Sequence, residues 1–384
     1  MKFKLTLISV LFFALASLLY GYVFYKAEIV YLGEKNFYYK PYYYFVYSLF
    51  LFSILSLFLN RELLNNIILI SISIIFACYL IEFYFHLSNF EKNSTDPMTS
   101  ERRLLFYKEL KEKDGVNTVA VPPQLFLNDN ALITPLSGHS NNKNFYCHKG
   151  QYNILNHDRF GFNNPDYVWD ESNIDYLVVG DSNIYGACVK ENQNINGYLR
   201  SISNKTALNI GQMSNGPLLE YATLKEYFKK KITKRIIWIY YEGNDLENLL
   251  SEKKIPILQK YLNEDNFTQN LISKQDLINE LVIKKVDSIF EATINKKEKK
   301  IELVKLLKLY STRQFIINYL FREKLPLDDF KQVMKKTKDF SNENNANLYF
   351  VYLPDHYRYI NNKKGKYKLY DEVLSIVSEL DIDI

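Results

Sequence analysis

Three nearly uncharged runs dominate the first 87 residues of this 384-residue chain and limit what it can fold into. Residues 5–25 carry no charge and follow Lys2 and Lys4, residues 41–59 carry none, and residues 63–85 carry only Glu82 beside the polar Asn65 and Asn66. Each is close to the roughly 20 apolar residues that let a helix cross a hydrocarbon layer about 30 Å thick. Lipid offers backbone groups no partners, so such runs must satisfy them internally as helices. Residues 1–87 are therefore expected to form about three transmembrane helices, with Asn60-Arg61-Glu62 as a tight link between the second and third. The first run also suits a cleaved signal, because Ala14-Leu15-Ala16-Ser17 offers small residues behind a basic start; an uncleaved anchor is the preferred reading. Tyrosines at 38, 39, 42, 43 and 44 fit an aromatic belt at a membrane interface, or equally a structural aromatic cluster.

Three spans with the amino terminus inside place everything after residue 85 outside the cytoplasm, at a bacterial inner membrane. The basic residues argue the other way, with Lys2, Lys4 and Arg61 inside against Lys26, Lys35, Lys40, Lys92, Arg102 and Arg103 outside. The net charge of +5 is modest, and lysines are scattered among glutamates, which excludes a nucleic-acid stripe. Cys78, Cys147 and Cys188 have no metal-ligand spacing, and at most one disulfide, Cys147 to Cys188, is available. No cofactor is expected. Residues 88–167 are polar and turn-rich, punctuated by Val121-Pro122-Pro123 and Ser137-Gly138-His139-Ser140, and are expected to form a surface lead-in lying on the next domain. Within it, Asp158-Arg159-Phe160-Gly161-Phe162-Asn163-Asn164-Pro165 gathers charged and aromatic residues around a glycine; Arg159 paired with Asp158 or Asp166 is the structural reading.

From residue 168 strand-like and helix-like segments alternate. Strands are expected at 174–179, 207–210, 235–241 and 347–353, with a helix over 218–230 opened by Pro217. Strand, helix, strand implies parallel pairing through right-handed crossovers. The expected fold is a three-layer α/β/α doubly wound sheet, spanning 168–384 with a helical insertion at 246–340.

Consecutive strand ends carry the chemistry. The first runs into Gly180-Asp181-Ser182, the second into Asn209-Ile210-Gly211-Gln212-Met213-Ser214-Asn215-Gly216, and the third into Glu242-Gly243-Asn244-Asp245. A hydroxyl at one tip of a parallel sheet, with a backbone N–H and an amide at neighbouring tips, is what acyl transfer requires. These three blocks in order resemble the SGNH or GDSL-type hydrolase superfamily, and residues 150–384 are similar to its membrane-anchored bacterial members. The resemblance implies a flavodoxin-like sheet, Ser182 as nucleophile and oxyanion donor, Asn244 as side-chain oxyanion donor, and Ser214 at the oxyanion-glycine position with Gly216 competing for it.

Two departures matter. Glu242 stands where the superfamily has its third-block glycine, and the expected Asp-x-x-His is missing. The chain stops at Leu380-Asp381-Ile382-Asp383-Ile384, which looks like the start of the strand preceding that element, so a truncated member with impaired activity is expected. His356, in Leu353-Pro354-Asp355-His356 after the fourth strand, is the candidate base on the catalytic edge, against the reading of a locally paired loop histidine.

In the insertion, residues 254–262, 271–280, 299–321 and 327–340 show helical spacing, read as a helical layer over the sheet in preference to a lid. Lys296, Lys297, Lys299 and Lys300 read as a solvated face in preference to a contact with anionic lipid or glycan. Three functions follow. The first is a membrane-tethered esterase or O-acyltransferase acting on an acylated, foremost acetylated, cell-envelope polysaccharide. The second is a non-catalytic glycan-binding or scaffold module of the same fold. The third is a membrane-assembly component whose spans do the work, with no nucleic acid as partner in any of them.

Overall fold

A computed structural model describes residues 7–31, 33, 36–95, 100–127, 132–148, 151–187, 189–230, 232–294, 298–320, 324–360 and 369–384. Helices α1 (Leu7–Phe24), α2 (Asn36–Leu55), α3 (Arg61–Thr95) and α4 (Ser100–Asp114) come first. Strands β1 (Thr118–Val119), β2 (Lys143–His148) and β3 (Gln151–Asn156) follow, then β4 (Tyr176–Gly180), α5 (Ser182–Tyr185), α6 (Ile195–Ser203), β5 (Ala207–Asn209), α7 (Pro217–Tyr227) and β6 (Arg235–Tyr241). Next are α8 (Asp245–Glu252), α9 (Pro256–Asn263), α10 (Gln275–Ile294), α11 (Glu298–Leu307), α12 (Tyr310–Leu320) and α13 (Leu327–Glu343). The chain closes with β7 (Asn347–Leu353), α14 (Tyr357–Ile360) and α15 (Tyr370–Glu379). Two compact units result: Met1–Asn93 with Lys297–Glu323, and Ser94–Lys296 with Lys324–Ile384.

The first unit is helical. Ser9–Val30, which continues α1 through a π-helical turn, and Arg61–Ser88 of α3 are long and apolar enough to cross a membrane. Of the expected span at 41–59, residues 41–55 fold as part of α2, which carries Lys40 and several tyrosines in its first turns and is not among the helices apolar enough to cross. Helices α1 and α2 meet through hydroxyls, Ser53 donating to the Ser9 carbonyl at 3.1 Å and Ser56 to the Ser9 hydroxyl at 2.7 Å. Tyr20 packs edge-on against Tyr43 at 6.0 Å, and Tyr38 against Tyr39 at 5.0 Å.

The second unit is built on a four-stranded sheet in the order β5-β4-β6-β7. All three pairings are parallel. Beyond β7 the end of the chain makes one parallel bridge, Tyr349 to Asp383, with the Phe350 N–H donating to the Asp383 carbonyl at 2.7 Å. The expected mixed α/β fold with parallel pairing is what forms. β4 reads as unbroken apolar sequence because both its faces are covered. Leu177 and Val179 join Trp238, Tyr240 and Phe350 in the main core with residues of α7 and α13. Val178 and Ile239 pack instead with Ile184 of α5, Leu199 of α6 lying against them.

Two regions depart from expectation. Residues 88–167 are no mere surface lead-in. β1 pairs parallel with β2, β2 pairs antiparallel with β3, and Val119, Phe126, Leu136, Phe145 and Phe162 enter the main core. Their apolar side chains come in short groups broken by prolines, asparagines and serines, so no period is visible, and polar neighbours such as Asn144 and His157 find internal partners and can be buried. The insertion is likewise divided. α8, α9, α10 and α13 belong to the second unit, whereas α11 and α12 belong to the first, and the single helix expected over 299–321 breaks at Leu309, where φ is +49°. The Cys147–Cys188 pairing and the lysine run at 296–300 lie outside the described residues or side chains.

Candidate functional site at the sheet edge

β4 ends at Gly180, whose Cα lies so near its neighbours that an added Cβ would stand 2.4 Å from Ile184 and 2.9 Å from the Ile239 carbonyl. That close packing turns the chain sharply into α5. Asp181 caps the turn: its carboxyl accepts the Asn183 N–H at 2.8 Å, lies 3.4 Å from the Ser182 hydroxyl, and also draws the Ser182 N–H. Ser182 itself is half-buried at the head of α5.

The loop after β5 packs against this turn. Asn209, fully buried, donates its side-chain amide to the Ile184 carbonyl at 2.8 Å and accepts the Gly211 N–H at 2.8 Å. Gly211 approaches Ile184 so closely that a Cβ would meet it at 2.6 Å. Ser214 adopts a left-handed backbone, φ +60°, a conformation that glycine adopts without strain. Among the described residues its N–H meets no acceptor. The Gly216 N–H, by contrast, is spent on Glu252 Oε1 at 2.6 Å. Of the two candidates for a loop oxyanion donor, Ser214 is therefore the one with a free N–H.

The third block begins where β6 ends. Asp245 accepts the Tyr241 N–H at 2.7 Å and fixes the turn, and Asn244 opens α8. The Asn244 side-chain oxygen is buried without a partner. Asn248 reaches back to the Asn215 carbonyl at 3.2 Å and the Ser214 carbonyl at 3.4 Å, joining the second and third blocks. Glu252 completes the link by accepting the N–H groups of Gly216, Leu218 and Leu219, so it caps α7 from a different helix. Gly243 has its own reason: the Tyr241 ring occupies the space where a Cβ would lie, 2.4 Å away.

Glu242, the departure at block three, is nearly buried and serves the next loop. Its carboxyl accepts the Asp355 N–H at 2.9 Å and meets Arg358 at 3.2 Å, while its own N–H donates to the Leu353 carbonyl at 2.9 Å. This pins the segment carrying His356 to the exit of β6. Tyr241 lies 3.4 Å from Asp355, and its hydroxyl is pushed up to about 12 by burial, with the negative charges of Asp355 and Asp181 adding to the effect. His356 is exposed on this loop.

Beneath the edge, four carboxyls are buried: Asp181, Glu220, Asp245 and Glu252. Desolvation pushes Glu252 up to about 7 against the pull of its three N–H donors. Burial also raises Asp181, and holds Glu220 and Asp245 well above the usual carboxylate range, with the charges of Asp181 and Glu252 adding to both. Neither Glu220 oxygen closes a hydrogen bond; the Trp238 indole N–H lies toward it without good geometry. Among the described residues no three of His, Cys, Asp and Glu are grouped to hold a metal.

The Asp158 to Pro165 motif braces these loops. Asp158 accepts the N–H groups of Phe160 and Phe162, the Asn164 amide and the Trp169 indole, at 2.7 to 3.0 Å, and burial still raises it to about 6. Asn163 donates to the Tyr185 carbonyl and Asn164 to the Asn209 carbonyl, each at 2.8 Å. Arg159 pairs with Asp166 and Asp170, at 2.7 and 2.6 Å. His157 is a core histidine, held between Tyr185 at 2.8 Å and Asn144 at 2.7 Å and driven down to about 4 by burial. Tyr241, Glu242 and Glu252 were not singled out from sequence as supports; the opposite charges Glu242 and Arg358, each just past an expected strand, were the one available signal. No protein-family model matches this chain, and neither does a curated protein or a solved structure.

Proposed function

We propose that the second unit is an SGNH-type serine hydrolase module with a three-layer, flavodoxin-like fold. It works as a membrane-tethered esterase or O-acyltransferase on acylated, foremost acetylated, carbohydrate at the outer face of a bacterial inner membrane. The observation that carries this reading is the mutual packing of three loops at adjacent tips of parallel strands, with Ser182 in the middle loop. In this scheme Ser182 Oγ attacks the ester carbon. Its proton passes to a base, for which His356 on the neighbouring loop is the candidate, and the developing oxyanion is met by the Ser214 N–H and the Asn244 amide. The sugar oxygen departs with a proton, leaving an acyl-serine that water or a second hydroxyl resolves.

A second reading, a glycan-binding module of the same fold, is favoured by one observation. Glu242 occupies the third-block glycine position and is committed to holding the Asp355 loop. A fluorophosphonate probe separates the two. The esterase reading, with activity impaired by the missing Asp-x-x-His, expects slow labelling of the full chain that disappears in Ser182→Ala and falls about 100-fold further in rate in Asn244→Ala. A folded chain that retains acetylated glycan but resists the probe supports the binding module and refutes the esterase.

A further inference from the structure

Within the first unit, α12 is held by a carboxylate from a helix apolar enough to span a membrane. Glu82 of α3, 2 % exposed, accepts the Ser311 N–H at 3.0 Å and the Thr312 N–H at 2.7 Å, capping the first turn of α12. Three more bonds fasten the elbow between α11 and α12, one to α3 and two to α2. Tyr79 donates to the Leu307 carbonyl at 3.0 Å, Arg313 to the Tyr42 hydroxyl at 3.1 Å, and Gln314 to the Tyr38 hydroxyl at 3.2 Å. Both elbow helices nevertheless turn apolar side chains outward. Leu303, Val304 and Leu307 of α11 are 41–59 % exposed, and Phe315, Ile316 and Tyr319 of α12 are 42–78 % exposed.

Depth along α3 identifies what covers this face. Glu82 lies 21 residues beyond Arg61, which is about 30 Å at 1.5 Å per residue, so it sits at the opposite boundary of the hydrocarbon layer. Tyr38 and Tyr42, at the start of α2, come to the same level through their bonds to α12. Tyrosines, a capped carboxylate and an arginine at one depth are the chemistry of a membrane interface. The Lys305 ammonium lies 6.0 Å from the centre of the Tyr310 ring.

We infer that α11 and α12 form an interfacial elbow whose apolar face is covered by lipid acyl chains of the same bilayer that surrounds α3, so that the chain returns to the membrane between α10 and α13. This rests on the reading of α3 as a span and is independent of the esterase reading. The insertion is then a second membrane attachment, and its apolar face needs no protein partner.

The test uses the full chain in nanodiscs containing brominated phosphatidylcholine, which quenches tryptophan in the acyl region. Trp169 and Trp238 are buried in the second unit and give a constant background. Reporters are placed at exposed positions: Leu303→Trp and Phe315→Trp in the elbow, Ile75→Trp in α3, and Tyr167→Trp as the aqueous control. The inference expects both elbow reporters to be quenched at least half as strongly as Ile75→Trp and Tyr167→Trp to be untouched. Adding Glu82→Ala is expected to lower quenching at 315 and leave it unchanged at 75. Elbow reporters that behave like Tyr167→Trp while Ile75→Trp is quenched overturn the inference alone. An unquenched Ile75→Trp overturns the span reading with it, and a signal at 315 indifferent to Glu82→Ala overturns the anchoring by that carboxylate.

Discussion

Replacing Gly161 by alanine tests whether the Asp158 to Pro165 motif braces the sheet edge. Gly161 has φ +80°, and a Cβ there would stand 2.0 Å from the Gly138 carbonyl oxygen and 2.3 Å from its carbon. The obstacle is backbone, so the two segments must separate by more than an ångström. Separation breaks the bond from the Gly138 N–H to the Gly161 carbonyl, now 3.1 Å, and loosens that from the Gln212 amide to the same carbonyl, now 3.2 Å. The left-handed conformation costs alanine about 1 kcal/mol, and two buried hydrogen bonds at about 1 kcal/mol each, with the clash itself, bring the loss to about 4 kcal/mol. Gly115 supplies the control, because at φ +65° its added Cβ meets nothing within 4 Å. Gly115→Ala therefore carries the conformational cost alone, about 1 kcal/mol. Trp169 and Trp238, both in the second unit and buried, report its unfolding in urea with the whole chain in detergent. Two variants destabilised equally, within about 0.5 kcal/mol, would sink the argument from close approach.

Stability of the second unit is expected to fall as pH rises from 6.5 to 8. Glu252 is raised from 4.5 to about 7 in the folded state, so its contribution is complete below pH 4.5 and is lost as pH climbs through 7; Glu220 and Asp245 share that sign. His157, lowered to about 4, acts oppositely: the unfolded imidazole is still half-protonated at pH 6.5, so over this interval it returns about 0.4 kcal/mol of stability. Glu252 alone accounts for about 1 kcal/mol of the fall, which urea titration at the two pH values measures; Glu252→Gln should flatten the slope while lowering overall stability, and an unchanged slope refutes the assignment. Glu220→Met replaces a buried carboxyl without a hydrogen bond by an apolar chain of similar length, and is expected to be neutral or stabilising by about 1 kcal/mol in the same assay. A loss above about 2 kcal/mol would mean that the carboxyl holds a partner worth keeping.

Local signals carried much of the fold. β6 and β7 occupy the very residues that their apolar runs marked, 235–241 and 347–353: β6 lies inside the sheet and is apolar from Ile236 onward, while aromatic and β-branched residues mark β7 although some of its positions are exposed. Pro217 opens α7 as its missing N–H and fixed φ require. What stayed hidden depends on partners distant in sequence. Glu252 looks like an ordinary helix residue until it is seen capping α7 more than thirty residues away. The break at Leu309 follows from Glu82 drawing the N–H groups of Ser311 and Thr312, a bond that spans some 230 positions and leaves no local mark. β1 to β3 escaped for the opposite reason: they are short and mix polar with apolar residues, and a polar group such as that of Asn144 is satisfied inside by His157 just past β3.

The buried carboxyls decide which donors at the edge remain for a ligand. A parallel sheet edge presents many N–H groups, and most of them must be engaged if the loops are to hold one shape. Asp181 takes the Asn183 N–H, Asp245 that of Tyr241, and Glu252 those of Gly216, Leu218 and Leu219. Each of these bonds fixes a turn and removes a donor from use. What is left unspent on the loops either side of Ser182 is the Ser214 N–H, while the Asn244 side-chain oxygen, an acceptor, is buried without a partner. Holding these loops in one shape costs burial of several carboxyls, an expense offset by the N–H groups that Asp181, Asp245 and Glu252 engage.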